Sequence, residues 1–184
     1  MPPRRDQRRR TELLDAVMDS CARSGIGNRS LRELAEELGT SHRMLIHHFG
    51  SRDQLMVAVV QEVERRQAVA FADLGAEPAD VVERMWARLS DPALWPFERL
   101  FFECYARGAQ GEVPFTMLVP SAVHSWLELA AGHPAGGDPA LNRLGLAVMR
   151  GLLLDLVATG DREAVGEALA RFATLVRTGG TMAR

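Results

Sequence analysis

The amino-acid sequence predicts an all-α fold of about nine helices, a three-helix unit at the N-terminus followed by a larger helical domain. Apolar residues recur three and four positions apart along nearly the whole chain, and no stretch shows the period-two alternation of a half-buried strand. Glycine and proline fall between these stretches, where they stop helices. Ser30 with Glu33, and Ser51 with Gln54, have the three-residue spacing of capping boxes, which marks two helix starts. With 184 residues, 47% of them hydrophobic and 25% charged, the chain has the composition of a folded globular protein and the length for two cores.

Leu13, Leu14, Val17, Met18, Cys21 and Ala22 form the apolar stripe of a first helix, which Gly25 and Gly27 stop by offering positive φ. Leu31, Leu34, Ala35 and Leu38 give a second, short helix that starts at Ser30 and ends at Gly39. Ser41 caps a third, in which Met44, Leu45 and Phe49 point inward and which Gly50 ends. Ser51 opens a long fourth helix running on to Leu74, with a break over 75–78. Further helices are expected over 79–90, 93–108, 115–131, 139–159 and 162–178, with Pro120 bending the third of these and 132–138 a disordered loop.

The formal net charge of −2 is unevenly spread. Residues 1–52 carry ten arginines against seven acids, a net of +3, and residues 53–184 a net of −5. Arg4, Arg5, Arg8, Arg9 and Arg10 face only Asp6, as either a solvated tail or a phosphate-contacting arm. Cys21 and Cys104 sit among apolar neighbours with no metal or redox spacing, so they read as buried thiols in a reducing compartment. Glu12, Asp15 and Asp19 interrupt the first apolar stretch, and no run of 18 apolar residues follows. A cytoplasmic chain that does not span a membrane is therefore expected.

Residues 31–49 have the pattern of a helix-turn-helix, in which the leading end of the second helix enters the major groove. The side chains at that end are Thr40, Ser41, His42 and Arg43. Arg43 can give two N–H donors to guanine O6 and N7, while Thr40 and Ser41 suit base edges or phosphates. The helix starts at Ser41 and Ser51 present N–H groups to phosphate, and Arg52 adds a full charge.

The run LAEELGTSHRMLIHHFGSRDQL, residues 34–55, resembles the signature of the TetR family: an Ala-containing helix, Gly, a capping Ser, a recognition helix ending in His-Phe, and a Ser-Lys/Arg step into a long helix. The likeness is close over about residues 8–60 and weaker beyond. It implies DNA contacts from Arg29 or Ser30, base contacts from Ser41, His42 and Arg43, and phosphate contacts from His47, His48 and Arg52, with Phe49 and Leu55 in the core. One departure is Ile46, where the family usually has Tyr; His47 is its possible substitute, without which binding leans on Arg43, Arg52 and the N-terminal arginines.

The last two helices carry apolar stripes with small residues, Gly145, Gly151, Gly166 and Ala170, suited to close helix packing either within the chain or between two copies. The resemblance implies the latter: a homodimer on a palindromic operator, with residues 1–52 binding double-stranded DNA and residues 53–184 holding a small-molecule effector and dimerising. Among the aromatic residues of the middle helices, Trp86, Phe102, Tyr105 and His124 are the expected ligand contacts. No nucleophile–base pair, phosphate loop, metal cluster or cofactor motif stands out, and Glu98 and Glu103 lie on different helix faces, so neither an enzyme nor a cofactor is expected. The predicted function is a ligand-released repressor; the other reading is a dimeric helical adaptor that does not read DNA. The sign of regulation depends on operator placement, so an activator is also compatible.

Overall fold

The computed structural model describes residues 4–25, 29–72 and 74–179, and among these there are nine α-helices and no strand. They are α1 (Arg4–Ser24), α2 (Leu31–Glu37), α3 (His42–Phe49), α4 (Arg52–Ala72), α5 (Pro78–Leu89), α6 (Trp95–Ala109), α7 (Leu118–Gly132), α8 (Pro139–Thr159) and α9 (Arg162–Gly179). The predicted all-α architecture is thus the observed one. Short 3-10 turns, Pro92–Leu94 and Phe115–Met117, lead into α6 and α7.

The serine caps form where the sequence places them, but the box expected at Ser51 is only half made: Ser51 Oγ accepts from Gln54 N at 3.1 Å, while Ser51 N donates to Phe49 O at 3.0 Å. Ser30 Oγ accepts from Glu33 N, and Glu33 Oε2 accepts from Ser30 N at 2.7 Å, a closed capping box at the start of α2. Gly25 at φ 66° ends α1, whereas Gly27 lies outside the described residues. Gly50, at φ 78°, has a left-handed backbone that disfavours other residues.

Two expectations are corrected. Pro120 does not bend α7, because it is the third residue of that helix, where the N–H it lacks would have no intrahelical partner. Residues 132–138 are not a disordered loop: His133 Nε2 bonds Leu74 O at 3.2 Å, and Gly137 and Asn142 exchange two hydrogen bonds. The basic run is also more ordered than an arm, since α1 begins at Arg4, and Arg8 and Arg9 both pair with Glu12 one turn on.

One core runs through both halves of the chain. Val17, Leu34, Leu45, Leu55 and Val59 are wholly buried and continue into Phe97, Leu100, Phe101, Cys104, Phe115 and Leu118, so α6 backs directly onto the helix-turn-helix unit. A second cluster, Leu74, Val81, Met85, Leu89 and Leu153, joins α5 to α8. At about 25 cal/mol per Å² of apolar area, each such side chain contributes roughly 1.5–3 kcal/mol. The N-terminal unit is thereby held in fixed orientation on the helices behind it.

Candidate nucleic-acid interface and ligand cavity

The turn between α2 and α3 is built from backbone bonds, Thr40 N to Ala35 O at 2.9 Å and Leu38 N to Leu34 O at 3.0 Å, around Gly39 at φ 61°. Ser41 then caps α3, its Oγ accepting from Met44 N at 3.2 Å. With Leu45 and Phe49 buried beneath it, α3 turns Ser41, His42, Arg43, Ile46 and His47 outward. Thr40 is half-buried at the turn, and Ser30 is exposed at the start of α2. Ser41, His42 and Arg43 thus form one exposed edge at the leading end of the recognition helix. Ile46, 40% exposed, puts an apolar branch on the same helix.

The other expected contacts are placed differently. Arg29 ties α1 to α2: its Nη1 donates to Ser20 Oγ at 2.9 Å and to Glu37 Oε2 at 2.5 Å, and its Nη2 donates to Gly25 O. Arg52 Nε donates to the Arg29 carbonyl at 2.9 Å, so this second arginine also spans the unit internally. The His48 side chain is only 2% exposed, with its Nε2 unpartnered, and is corrected from a phosphate contact to an interior residue. His47 remains exposed and lies 3.5 Å from Asp6 of α1. A signal for His48 was present in the sequence, since it follows the buried Leu45 by three residues and so shares its face.

Behind this unit, a cavity of about 560 Å³ opens between α4, α5, α6, α7, α8 and α9. None of the four expected ligand contacts lines it. His124 points to solvent and pairs with Glu128 at 3.1 Å, while Trp86, Phe102 and Tyr105 are half-buried in the packing layer beyond the wall. The aromatic side chains that do face it are Phe71, Phe101, Trp126 and Phe172. Phe71 meets the Trp126 ring edge-on at 5.7 Å. Choosing Trp126 over Trp86 depends on how α7 is rotated against α4, which no single helix encodes.

The polar part of the wall is concentrated. Glu64 Oε2 accepts from Trp126 Nε1 at 2.5 Å, Glu98 Oε1 accepts from Gln67 Nε2 at 2.8 Å, and Arg150 lies over the Phe101 ring at 5.2 Å. Burial pushes the Glu98 carboxyl up to about 7, Gln67 opposing this and the charge of Glu64 adding to it. Burial raises Glu64 as well, against the Trp126 N–H and Arg150. Burial likewise lowers Arg150, against the pull of Glu64, yet a guanidinium stays charged. Its Nη2 is buried without a hydrogen-bond partner. Sequence reasoning singled out Glu98 but missed Glu64 and Arg150, although an arginine inside the apolar run from Leu144 to Leu156 was visible.

Helix α4 runs from the cavity wall to the helix-turn-helix unit. Helix α4 carries Glu64, Gln67 and Phe71 at one end and Asp53 at the other. There Arg107 of α6 grips Asp53 with two bonds, 3.0 and 2.9 Å, and also bonds Glu112 at 2.8 Å.

Comparison with known proteins places this geometry. A family model described as bacterial regulatory proteins, tetR family, matches residues 13–59, which cover most of α1, both short helices and the start of α4. The HTH-type transcriptional repressor AcnR of Corynebacterium efficiens is 31% identical over 83 residues, 45% of this chain and 42% of that protein. Its counterpart in Corynebacterium jeikeium is 33% identical over 67 residues, 36% of this chain and 35% of that protein. The matches thus span less than half the length of these curated relatives. Over nearly the whole chain the fold is similar to that of the multidrug binding protein EbrR complexed with imidazole, with a TM-score of 0.68, 24% identity and 93% of each chain covered. It is also similar to a transcriptional regulator from Rhodococcus sp. Rha1, with a TM-score of 0.71, 21% identity, and 92% of this chain and 96% of that one covered.

Proposed function

Because this chain belongs to the TetR family of bacterial regulators, we propose that it represses transcription by binding a palindromic operator as a homodimer and leaves that operator when a small molecule fills its cavity. The observation that carries the reading is the exposed edge Ser41–His42–Arg43, held on a capped helix by a continuous core. A side-chain edge fixed in this way can be read against base edges, with Arg43 bidentate on a guanine and Ile46 against a thymine methyl group. The N-terminal arginines contribute phosphate attraction and hence salt sensitivity. Curated relatives that match over this region are repressors, which supports repression as the sign of regulation.

Residues 1–52 serve DNA binding in this scheme, and residues 53–184 serve dimerisation and effector binding. The dimer would form through α8 and α9, whose outer faces expose Leu144, Leu154 and Leu175, at 54, 48 and 63%. An added Cβ at Gly151 or Gly166 meets nothing within 4 Å, so these faces are open to a second copy. Two-fold symmetry then sets two recognition helices about one DNA turn apart. The effector acts by population shift, and a tenfold fall in operator affinity needs about 1.4 kcal/mol of difference between the two arrangements. The chain acts where its operator is, in the cytoplasm, and among the described residues no helix is long and apolar enough to cross a membrane.

Mobility shift with DNA flanking the chain's own gene, at two salt concentrations and with nonspecific competitor, tests the reading. Specific, salt-sensitive retardation of a dimer is expected. Only nonspecific binding on every upstream fragment would favour the dimeric adaptor instead.

A further inference from the structure

Outside the cavity, one polar cluster joins two helices of the N-terminal unit. Among the described residues, only Asp6, His47 and His48 bring three metal-ligating donor atoms within 4.8 Å of one another. Asp6 stands in the first turn of α1, and the two histidines stand in the last turn of α3. Asp6 Oδ1 lies 3.5 Å from His47 Nε2 and 3.7 Å from His48 Nδ1. Both gaps are too long for hydrogen bonds, which would draw the atoms to about 2.7–3.2 Å. They are close to the edge of a coordination tetrahedron, which is about 3.3–3.4 Å when the metal bonds are about 2.0–2.1 Å. The Asp6 and His47 side chains are exposed, so small rotations close the difference. The His48 ring is held by burial, and of its two nitrogens only Nε2 is sealed from solvent; Nδ1 is open on the side of Asp6.

We infer that Asp6, His47 and His48 form a binding site for a divalent transition ion of the zinc type, with Asp6 Oδ1, His47 Nε2 and His48 Nδ1 as its protein donors and water completing the shell. Two imidazole nitrogens and a carboxylate oxygen suit such ions, whereas Mg2+ and Ca2+ take oxygen donors. The negative end of the α3 dipole falls at this helix terminus and favours a cation. With neutral histidines, the bare cluster carries a charge of −1 and the occupied one +1. The ion thus changes by two charges the far end of the helix that presents Ser41, His42 and Arg43. A metal bound at Nδ1 leaves the His48 proton on Nε2, which has no acceptor. Lacking that usual outer support, the site exchanges its ion instead of holding it permanently. Spacing in the sequence does not show the cluster, because Asp6 and the histidines are on different helices.

Calorimetric titration of Zn2+ and of Mg2+ into the full chain, without a purification tag and at a slightly alkaline pH where imidazole is neutral, tests the site. One Zn2+ per chain is expected, bound at least about tenfold more tightly than Mg2+. Asp6→Ala and His47→Gln should each weaken Zn2+ at least about tenfold, the loss that even an outer-shell change brings. Both side chains are exposed, so neither variant puts the fold at risk. His124→Ala is the control, because the His124–Glu128 pair offers only two donors on one exposed helix face, and it should leave Zn2+ affinity unchanged. Co2+ in place of Zn2+ should give visible absorption bands of a nitrogen-ligated ion that are lost in both site variants. No Zn2+ binding, equal affinity for Zn2+ and Mg2+, binding that survives Asp6→Ala and His47→Gln, or binding lost in His124→Ala would each overturn the assignment.

Discussion

Cutting the grip of Arg107 on Asp53 should loosen α6 from the first turn of α4 by a calculable amount. Both side chains are about a quarter to a third exposed, and they share two hydrogen bonds near 3 Å. An exposed ion pair contributes about 0–1 kcal/mol and a charge-assisted buried bond about 1.5–3 kcal/mol. This half-buried, bidentate pair falls between, at about 1–2 kcal/mol. Arg107→Met also loses the Glu112 bond and the stacking of the guanidinium over Phe115 at 4.1 Å, for a total of about 2–3 kcal/mol. At roughly 2–4 °C per kcal/mol for a chain of this size, the melting temperature falls by about 4–12 °C. The assay is a double-mutant cycle with Asp53→Asn, followed by thermal and denaturant unfolding. Asp53 also stabilises the first turn of α4 through the helix dipole, a contribution that cancels in the cycle. A coupling energy below about 0.3 kcal/mol, or one unchanged between 0.05 and 1 M salt, on the order of magnitude where the Debye length shrinks to about 3 Å, would refute the assignment.

Three further outcomes are expected. Arg43→Ala should weaken operator binding by about 1–3 kcal/mol per half-site and relax preference at one base pair, read by titration against operator variants; unchanged affinity would remove Arg43 from the reading edge. Replacing Leu144 and Leu175 together by Glu should turn a dimer into a monomer in light scattering and abolish cooperative operator binding, whereas a dimer that persists would place the interface elsewhere. Glu98 makes stability pH-dependent: with its folded value raised from 4.5 to about 7, its contribution is full below about 4.5 and is lost as pH rises through 7, by up to roughly 3 kcal/mol. Unfolding measured from pH 5 to 8 should show that decline in the native chain and a flatter profile in Glu98→Gln; parallel profiles would refute it.

What was legible in the sequence was local. Capping boxes and positive-φ glycines act over three or four residues, so α2, α3 and their turn were readable from Ser30, Glu33, Gly39, Ser41 and Gly50 alone. Arg29 shows the limit: its partners Ser20 and Glu37 lie nine and eight residues away on the two flanking helices, and nothing nearby distinguishes such a clamp from a phosphate-contacting arginine. The cavity lay further out of reach, since its wall is assembled from one face of each of six helices. The aromatic residues were counted correctly as a class, but whether Trp86 or Trp126 faces the space depends on helix rotation, which is settled by packing between α4, α5, α7 and α8. The exposed, paired His124 was misplaced for the same reason.

Helix α8 has two distinct faces. Leu146, Met149, Arg150 and Leu153 form part of the cavity wall, while Leu144, Gly151 and Leu154 look outward, toward the face assigned to a second copy. A rigid rod shared in this way cannot shift on one side alone. In the proposed dimer, a molecule that pushed α8 from within would change the fit of the two copies without, and by reciprocity the assembled pair would have a different appetite for that molecule than a lone chain. Effector affinity should therefore depend on protein concentration around the dimer dissociation constant, so a titration made on dilute protein and one made on concentrated protein would describe two different receptors.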